Sequence, residues 1–190
     1  MNENYIEINN YKKKVMGQNI NIIIIKLNNK KSNCTKHLTQ KQYIKKDKLI
    51  IKPSNKTIKT IFSYYMKNKD TEKINKKDNK IMMKLSKYIS NEEKYTYCLN
   101  QDNLIISETM NENNKSIVKN LFSKHIFLCK DKPCASGELV FHKNKLVFDN
   151  SSGTYKPTID NLKSIKKALS FLNVKIIDMN DKNHSKYFGK

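Results

Sequence analysis

Four consecutive isoleucines, Ile22 to Ile25, constrain this chain more than any other feature. Together with Ile20 they form a β-branched run, and side chains stiff at χ1 favour extended backbone over helix. Bounded by Gly17 and by Asn28–Asn29, the stretch Asn19–Leu27 reads as a buried strand. Interrupted by Asn21 and Lys26, it is far too short to span a bilayer, which takes about 20 apolar residues. No membrane association is expected.

The remaining pattern alternates strand and helix signals without repeats. A short strand, Lys48–Lys52, stops at Pro53. Ile58, Ile61, Phe62, Tyr65 and Met66 share one helical face, as do Ile81, Met82, Leu85, Tyr88 and Ile89. Lys94–Leu99 and Leu104–Ser107 flank an Asn/Asp-rich turn and read as a hairpin, and a helix is expected over Asn114–Phe122. Ile126–Cys129, Gly137–Phe141 and Leu146–Phe148 read as three strands, the last two joined through His142–Lys145. Thr158 or Asp160 opens a helix through Leu162, Ile165, Leu169 and Leu172, before a closing strand Val174–Asp178. The expected class is α+β, a mainly antiparallel sheet with two to four packed helices. Residues 67–79 are nearly all Lys, Asn, Asp and Glu, a composition that buries little surface. They read as a polar linker between a basic α/β segment, 1–66, and an α+β module, 80–190. The periodicity of 30–46 is too weak to assign. With 190 residues, 37% of them hydrophobic, the chain can bury a core without cross-links.

All positive charge is lysine: 38 basic residues include no arginine, against 17 acidic ones, for a net charge of +21. Two origins stay open. Lys, Asn and Ile are residues that an AT-rich genome over-supplies, which makes the lysines a solvated surface. Alternatively the charge is a selected polyanion-binding face. Without the guanidinium fork, such a face would hold nucleic acid by salt-sensitive contacts indifferent to sequence.

Met1 is followed by polar and acidic residues, so no secretory leader is read and the four cysteines, Cys34, Cys98, Cys129 and Cys134, are expected as reduced thiols. Cys98 and Cys34 read as small hydrophobes. Cys129 and Cys134, with His125 and His142, are near in sequence, but the Cys-x4-Cys spacing departs from zinc patterns and no metal is expected. No phosphate loop, dinucleotide fingerprint or metalloprotease motif appears, and no cofactor is expected.

One stretch of the chain carries a resemblance. Leu85-Ser-Lys-Tyr-Ile-Ser-Asn-Glu-Glu-Lys-Tyr-Thr-Tyr97, Phe122-Ser-Lys-His125-Ile-Phe-Leu128, Ala135-Ser-Gly137-Glu-Leu139 and Asn150-Ser-Ser-Gly153-Thr-Tyr155-Lys-Pro157-Thr158 follow one another in order and spacing. From about residue 52 to 179 the chain resembles the region that plant IQ-motif calmodulin-binding proteins share with uncharacterised proteins of fungi and large DNA viruses. It departs at Thr154, where the family has His, at Glu138, where the plant proteins have Arg, and in a shorter connection between Ile106 and His125. Nothing before Lys52 resembles the IQ helix, so calmodulin is not an expected partner. The resemblance implies an architecture and no reaction. It also places the protein in a host cytoplasm or a virion, not outside the cell.

Two constellations bear on function. In the loop Ser151, Ser152, Gly153, Thr154, Tyr155, Lys156 and Pro157, a left-handed Gly153 would let successive N–H groups converge on an anion, with Tyr155 as a wall. The structural alternative is a turn that anchors Tyr155 in the core. His125, Glu138 and Tyr155 supply a base, a carboxylate and a phenol for acid–base work if the three strands pair. His125 could equally be a half-buried, hydrogen-bonded residue. The leading expectation is a non-enzymatic binding or structural protein with a basic surface, its partner nucleic acid or another protein. The alternative is a small-ligand site or enzyme at His125, Glu138 and 151–157.

Overall fold

The computed structural model describes residues 4–15, 18–27, 38, 44–45, 48–49, 70–78, 80–108, 125, 128 and 133–189. Strands β1 (Tyr5–Val15), β2 (Gln18–Lys26), β5 (Asp70–Asn75), β6 (Lys94–Leu99), β7 (Asn103–Glu108), β8 (Ala135–Phe141), β9 (Leu146–Phe148) and β10 (Val174–Ile176) form one sheet in the order β10-β9-β8-β6-β7-β2-β1-β5. Neighbours pair antiparallel except β9 and β10, which run parallel. A separate two-stranded ribbon joins β3 (Ile44–Lys45) to β4 (Lys48–Leu49). Helices α1 (Ile81–Leu85), α2 (Ile159–Ala168) and α3 (Ser185–Phe188) complete the described elements. The fold is α+β with a sheet-dominated core. No helix among the described residues is long and apolar enough to cross a membrane.

The isoleucine run lies inside the sheet, because β2 is hydrogen-bonded to β1 on one side and β7 on the other. Successive side chains alternate between faces. Ile23 and Ile25 join Ile6, Ile8, Leu104, Ile106, Tyr95, Tyr97, Leu139 and Phe148 on one face. Helix α1, through Ile81, Met82 and Leu85, and helix α2, through Leu162, Ile165 and Ala168, cover that face. Ile22 points to the other face and is buried too, in line with Ile105, Cys98 and Val140. At one end of this second face Val140 and Val147 pack against Ile177 and Phe188 of α3. Each fully buried large apolar side chain contributes about 1.5–3 kcal/mol.

Two expectations change, and one strand was not expected at all. Residues 67–79 contain β5, which pairs with β1, and the sheet runs unbroken from β1 and β2 into β7. The segments before and after this stretch therefore share one sheet. Composition hid β5 because its pairing is made by backbone groups, with Ile74 alone supplying apolar burial. Strand β1 was hidden for a related reason: Asn9 and Asn10 sit at its middle, both buried, and Thr71 Oγ1 of β5 donates to Asn9 Oδ1 at 3.0 Å. Finally, His125 and Leu128 are helical, so the strand expected over Ile126–Cys129 does not form at its described residue. The helices expected over 54–66 and 114–122 lie outside the described residues.

Candidate functional site

The motif residues singled out by sequence converge around an aspartate that sequence reasoning passed over. Strand β9 ends at Phe148, whose ring meets the Tyr97 ring edge-on at 5.0 Å between centroids. That contact sets the Tyr97 hydroxyl to donate to the Asp149 carbonyl oxygen at 2.6 Å. Opposite Tyr97 in register stands Gly137 of β8. A Cβ there would lie 2.2 Å from Asp149 O and 2.7 Å from Asp149 Oδ1, so only glycine lets residue 149 press against the strand. The requirement at Gly137 is space, not a left-handed backbone.

The Asp149 side chain is fully buried and both its oxygens are saturated. Oδ1 accepts the Glu138 N–H at 2.6 Å and the Ser151 N–H at 2.9 Å. Oδ2 accepts the Ser151 hydroxyl at 2.7 Å and stands 2.7 Å from Nε2 of His184, which carries the donated proton in this arrangement. The His184 ring in turn stacks on Phe188, centroids 4.6 Å apart. One carboxylate thus ties β8, the loop after β9 and α3 together. Asn150 extends the tie: its Oδ1 accepts the Met179 N–H at 2.7 Å and its Nδ2 donates to Pro157 O at 3.2 Å.

The order of groups decides the chemistry. Nucleophilic activation of a serine needs the imidazole between hydroxyl and carboxylate, so that the base can take the hydroxyl proton. Here the carboxylate stands in the middle, and both Ser151 and His184 donate to it. The arrangement holds structure and does not generate an alkoxide.

Each expected site residue has a definite place. His125 is buried at 2% exposure, with Nε2 3.2 Å from the Gly137 carbonyl oxygen, and its own carbonyl accepts from the Cys98 thiol at 3.6 Å. Glu138 gives its N–H to the Asp149 side chain, and its carbonyl accepts the Asp149 N–H at 2.9 Å. Tyr155 is buried and packs on Leu38, whose N–H donates to Pro133 O at 2.7 Å. His125 and Glu138 therefore meet the same short stretch of β8, while Tyr155 anchors the loop beyond it.

Within the loop, three of the amides expected to face an anion have internal acceptors. Ser152 N–H donates to Asn150 O at 2.8 Å, Tyr155 N–H to Ser152 Oγ at 3.4 Å and Lys156 N–H to Ser152 O at 2.8 Å. The left-handed residue is Lys156, with φ 44°, and not Gly153, whose surroundings would leave an added Cβ untouched. The turn is closed by Ser152 acting as both acceptor groups, so glycine is not needed for it.

Cys98 is a free, buried thiol, as expected, but Cys134, expected as a reduced thiol, is disulfide-bonded. Its sulfur is thereby removed from metal chemistry. No group of three or more His, Cys, Asp or Glu side chains able to hold a metal occurs among the described residues. What sequence reasoning missed, Asp149 and His184, lies 35 positions apart, with one hint only: a polar run, Asp149-Asn-Ser-Ser152, directly after a fully apolar strand. No protein-family model, curated protein or solved structure matches the chain.

Proposed function

We propose that this is a non-enzymatic binding protein whose partner is nucleic acid, held by lysine–phosphate contacts that do not read sequence. The observation that carries this is the outward side of the helical layer. Helix α1 and its flanks present five lysines against one aspartate between residues 76 and 87, and α2 and its flanks four against one between 156 and 170. Lys80, Lys87, Lys163, Lys166 and Lys167 are exposed. The two sets adjoin, since the Lys76 ammonium lies 5.5 Å from the centroid of the Phe171 ring just past α2. Of the two aspartates, Asp160 is bonded to Lys163 at 2.6 Å and Asp78 lies 3.9 Å from Lys84. The exposed Asp160–Lys163 pair is worth little and yields readily to a phosphate, and the half-buried Asp78–Lys84 pair is long. The self-satisfied Asp149 network supports the non-enzymatic side of the reading. So does the internal use of the loop amides, which leaves the 151–157 loop few donors for a small ligand.

The test is a salt titration of binding to a mixed-sequence DNA oligomer. Affinity is expected to fall linearly on logarithmic axes, and replacing Lys80, Lys87, Lys163 and Lys166 by Gln should flatten the slope by about 3 to 4. An unchanged slope in the folded variant would reject the helical layer as the contact surface.

A further inference from the structure

Where β10, α3 and the β8–β9 turn meet, three elements bring together polar groups that the Asp149 network does not use. Lys175 of β10 donates from Nζ to the phenol oxygen of Tyr187 of α3 at 2.7 Å. Its 4.5 Å distance to the ring centroid follows from that bond at the ring edge and is no separate stacking contact. His142, at the start of the β8–β9 turn, meets the same ring edge-on at 5.5 Å between centroids. Its Nδ1 lies 3.4 Å from Glu92 Oε1.

Glu92 adopts a left-handed φ of 64°, a conformation that a glutamate holds at a cost of order 1–3 kcal/mol. It is fixed there by its N–H donating to Phe141 O at 2.8 Å. The consequence is an imidazole oriented from its Nδ1 side, with Nε2 as its remaining polar atom.

Having accepted a bond from Lys175, the Tyr187 oxygen still carries a proton with no acceptor among the described residues. The Lys175 hydrogen bond holds this phenol below the ordinary phenol range, against partial desolvation and with help from the charges of Lys175, Lys186 and Lys145. A more acidic hydroxyl is a stronger donor to an anion. Lys145, Lys175 and Lys186 all act on this phenol, outnumbering the Asp181 carboxylate that shares Lys175, in a group distinct from the spread charge of α1 and α2.

We infer that Tyr187 O–H and the Lys175 ammonium form a binding site for a phosphate-class oxyanion, flanked by Lys145 and Lys186, with the His142 ring as its wall. The inference goes beyond backbone binding by the helical layer and stands without it. Such an anion has two sources, the terminal phosphate of an oligonucleotide or free phosphate, and one experiment separates them. The full chain is titrated with inorganic phosphate, and with one short oligonucleotide bearing either a 5′-phosphate or a 5′-hydroxyl. Tyr187→Phe keeps the ring and should weaken phosphate binding about ten-fold, and Lys175→Met should do the same, as expected for loss of a charge-assisted bond. The four-lysine Gln variant of α1 and α2 should keep its phosphate affinity while losing oligonucleotide affinity. A 5′-phosphate advantage that vanishes in Tyr187→Phe supports the site and names the nucleic-acid end as source. Variant-sensitive binding of inorganic phosphate alone supports it with the free anion as source. Absence of phosphate binding to the unmodified chain, or equal binding by both folded variants, overturns it.

Discussion

Gly137 shows how one absent methyl group organises this molecule. Its lack of a Cβ admits the Asp149 backbone and carboxylate to within 2.2 and 2.7 Å of where that carbon would stand, and four donors converge on the carboxylate as a result. Gly137→Ala must therefore push strand β8 and residue 149 apart and loosen buried hydrogen bonds, with a destabilisation of at least about 2–3 kcal/mol expected in urea unfolding. Gly153 is the control, since an added Cβ meets nothing and its φ lies outside the left-handed region. Gly153→Ala should be neutral or stabilise by up to about 1 kcal/mol, by restricting the unfolded chain. Similar losses at the two positions would refute the close approach. The sequence marked both glycines through a resemblance but placed the need at Gly153, as backbone freedom, whereas it lies at Gly137, as space. Residue type is legible in a sequence; the atom that will press against it, here from Asp149 twelve residues on, is not.

Elements were legible where side-chain pattern and local turn chemistry agree. The β6–β7 and β8–β9 hairpins fall where expected because apolar alternation and turn residues coincide. In the first, Asn100 Oδ1 accepts the Asp102 and Asn103 N–H groups at 3.0 and 2.8 Å. Helix α2 starts at the expected cap, with Thr158 N–H donating to Asn161 Oδ1 at 2.9 Å. Illegible were β1 and β5, whose place depends on partners far along the chain, and the helical backbone at Leu128, inside a stretch whose apolar pattern reads as a strand. The β8–β9 turn yields a prediction of its own. His142 and Lys145 exchange N–H···O bonds of 2.9 and 3.0 Å around Lys143 and Asn144, with φ of 48° and 57°. That is a type I′ turn, which favours Asn-Gly, and lysine tolerates it poorly. The double change Lys143→Asn with Asn144→Gly should stabilise by about 0.5–2 kcal/mol, the usual gain from correcting a local mismatch. In a domain of this size that raises Tm by about 2–4 °C for each kcal/mol, measurable by calorimetry. A lower Tm would show that Lys143 contributes something its backbone cost conceals.

For the whole molecule, the governing fact is a net charge of +21 spread over 190 residues. Like charges at such density repel one another and oppose the compact state, and salt screens that repulsion, the Debye length falling from about 30 Å at 0.01 M to about 10 Å at 0.1 M. The same screening weakens lysine–phosphate contacts by removing the advantage of counterion release. The two effects have opposite signs in one protein. Adding salt to the free chain should raise its Tm, whereas the further rise caused by saturating DNA should shrink over the same range, because ligand stabilisation follows the dissociation constant. A lysine surface neutralised by its own carboxylates would do neither, for then the free chain would gain nothing from salt and DNA would add nothing at any salt. If Tm rises with salt but DNA never stabilises, the lysines repel without serving a polyanion, and their abundance is solvation rather than function. Opposed slopes in one set of melts would instead show that the charge which strains the free fold is the charge that holds the partner.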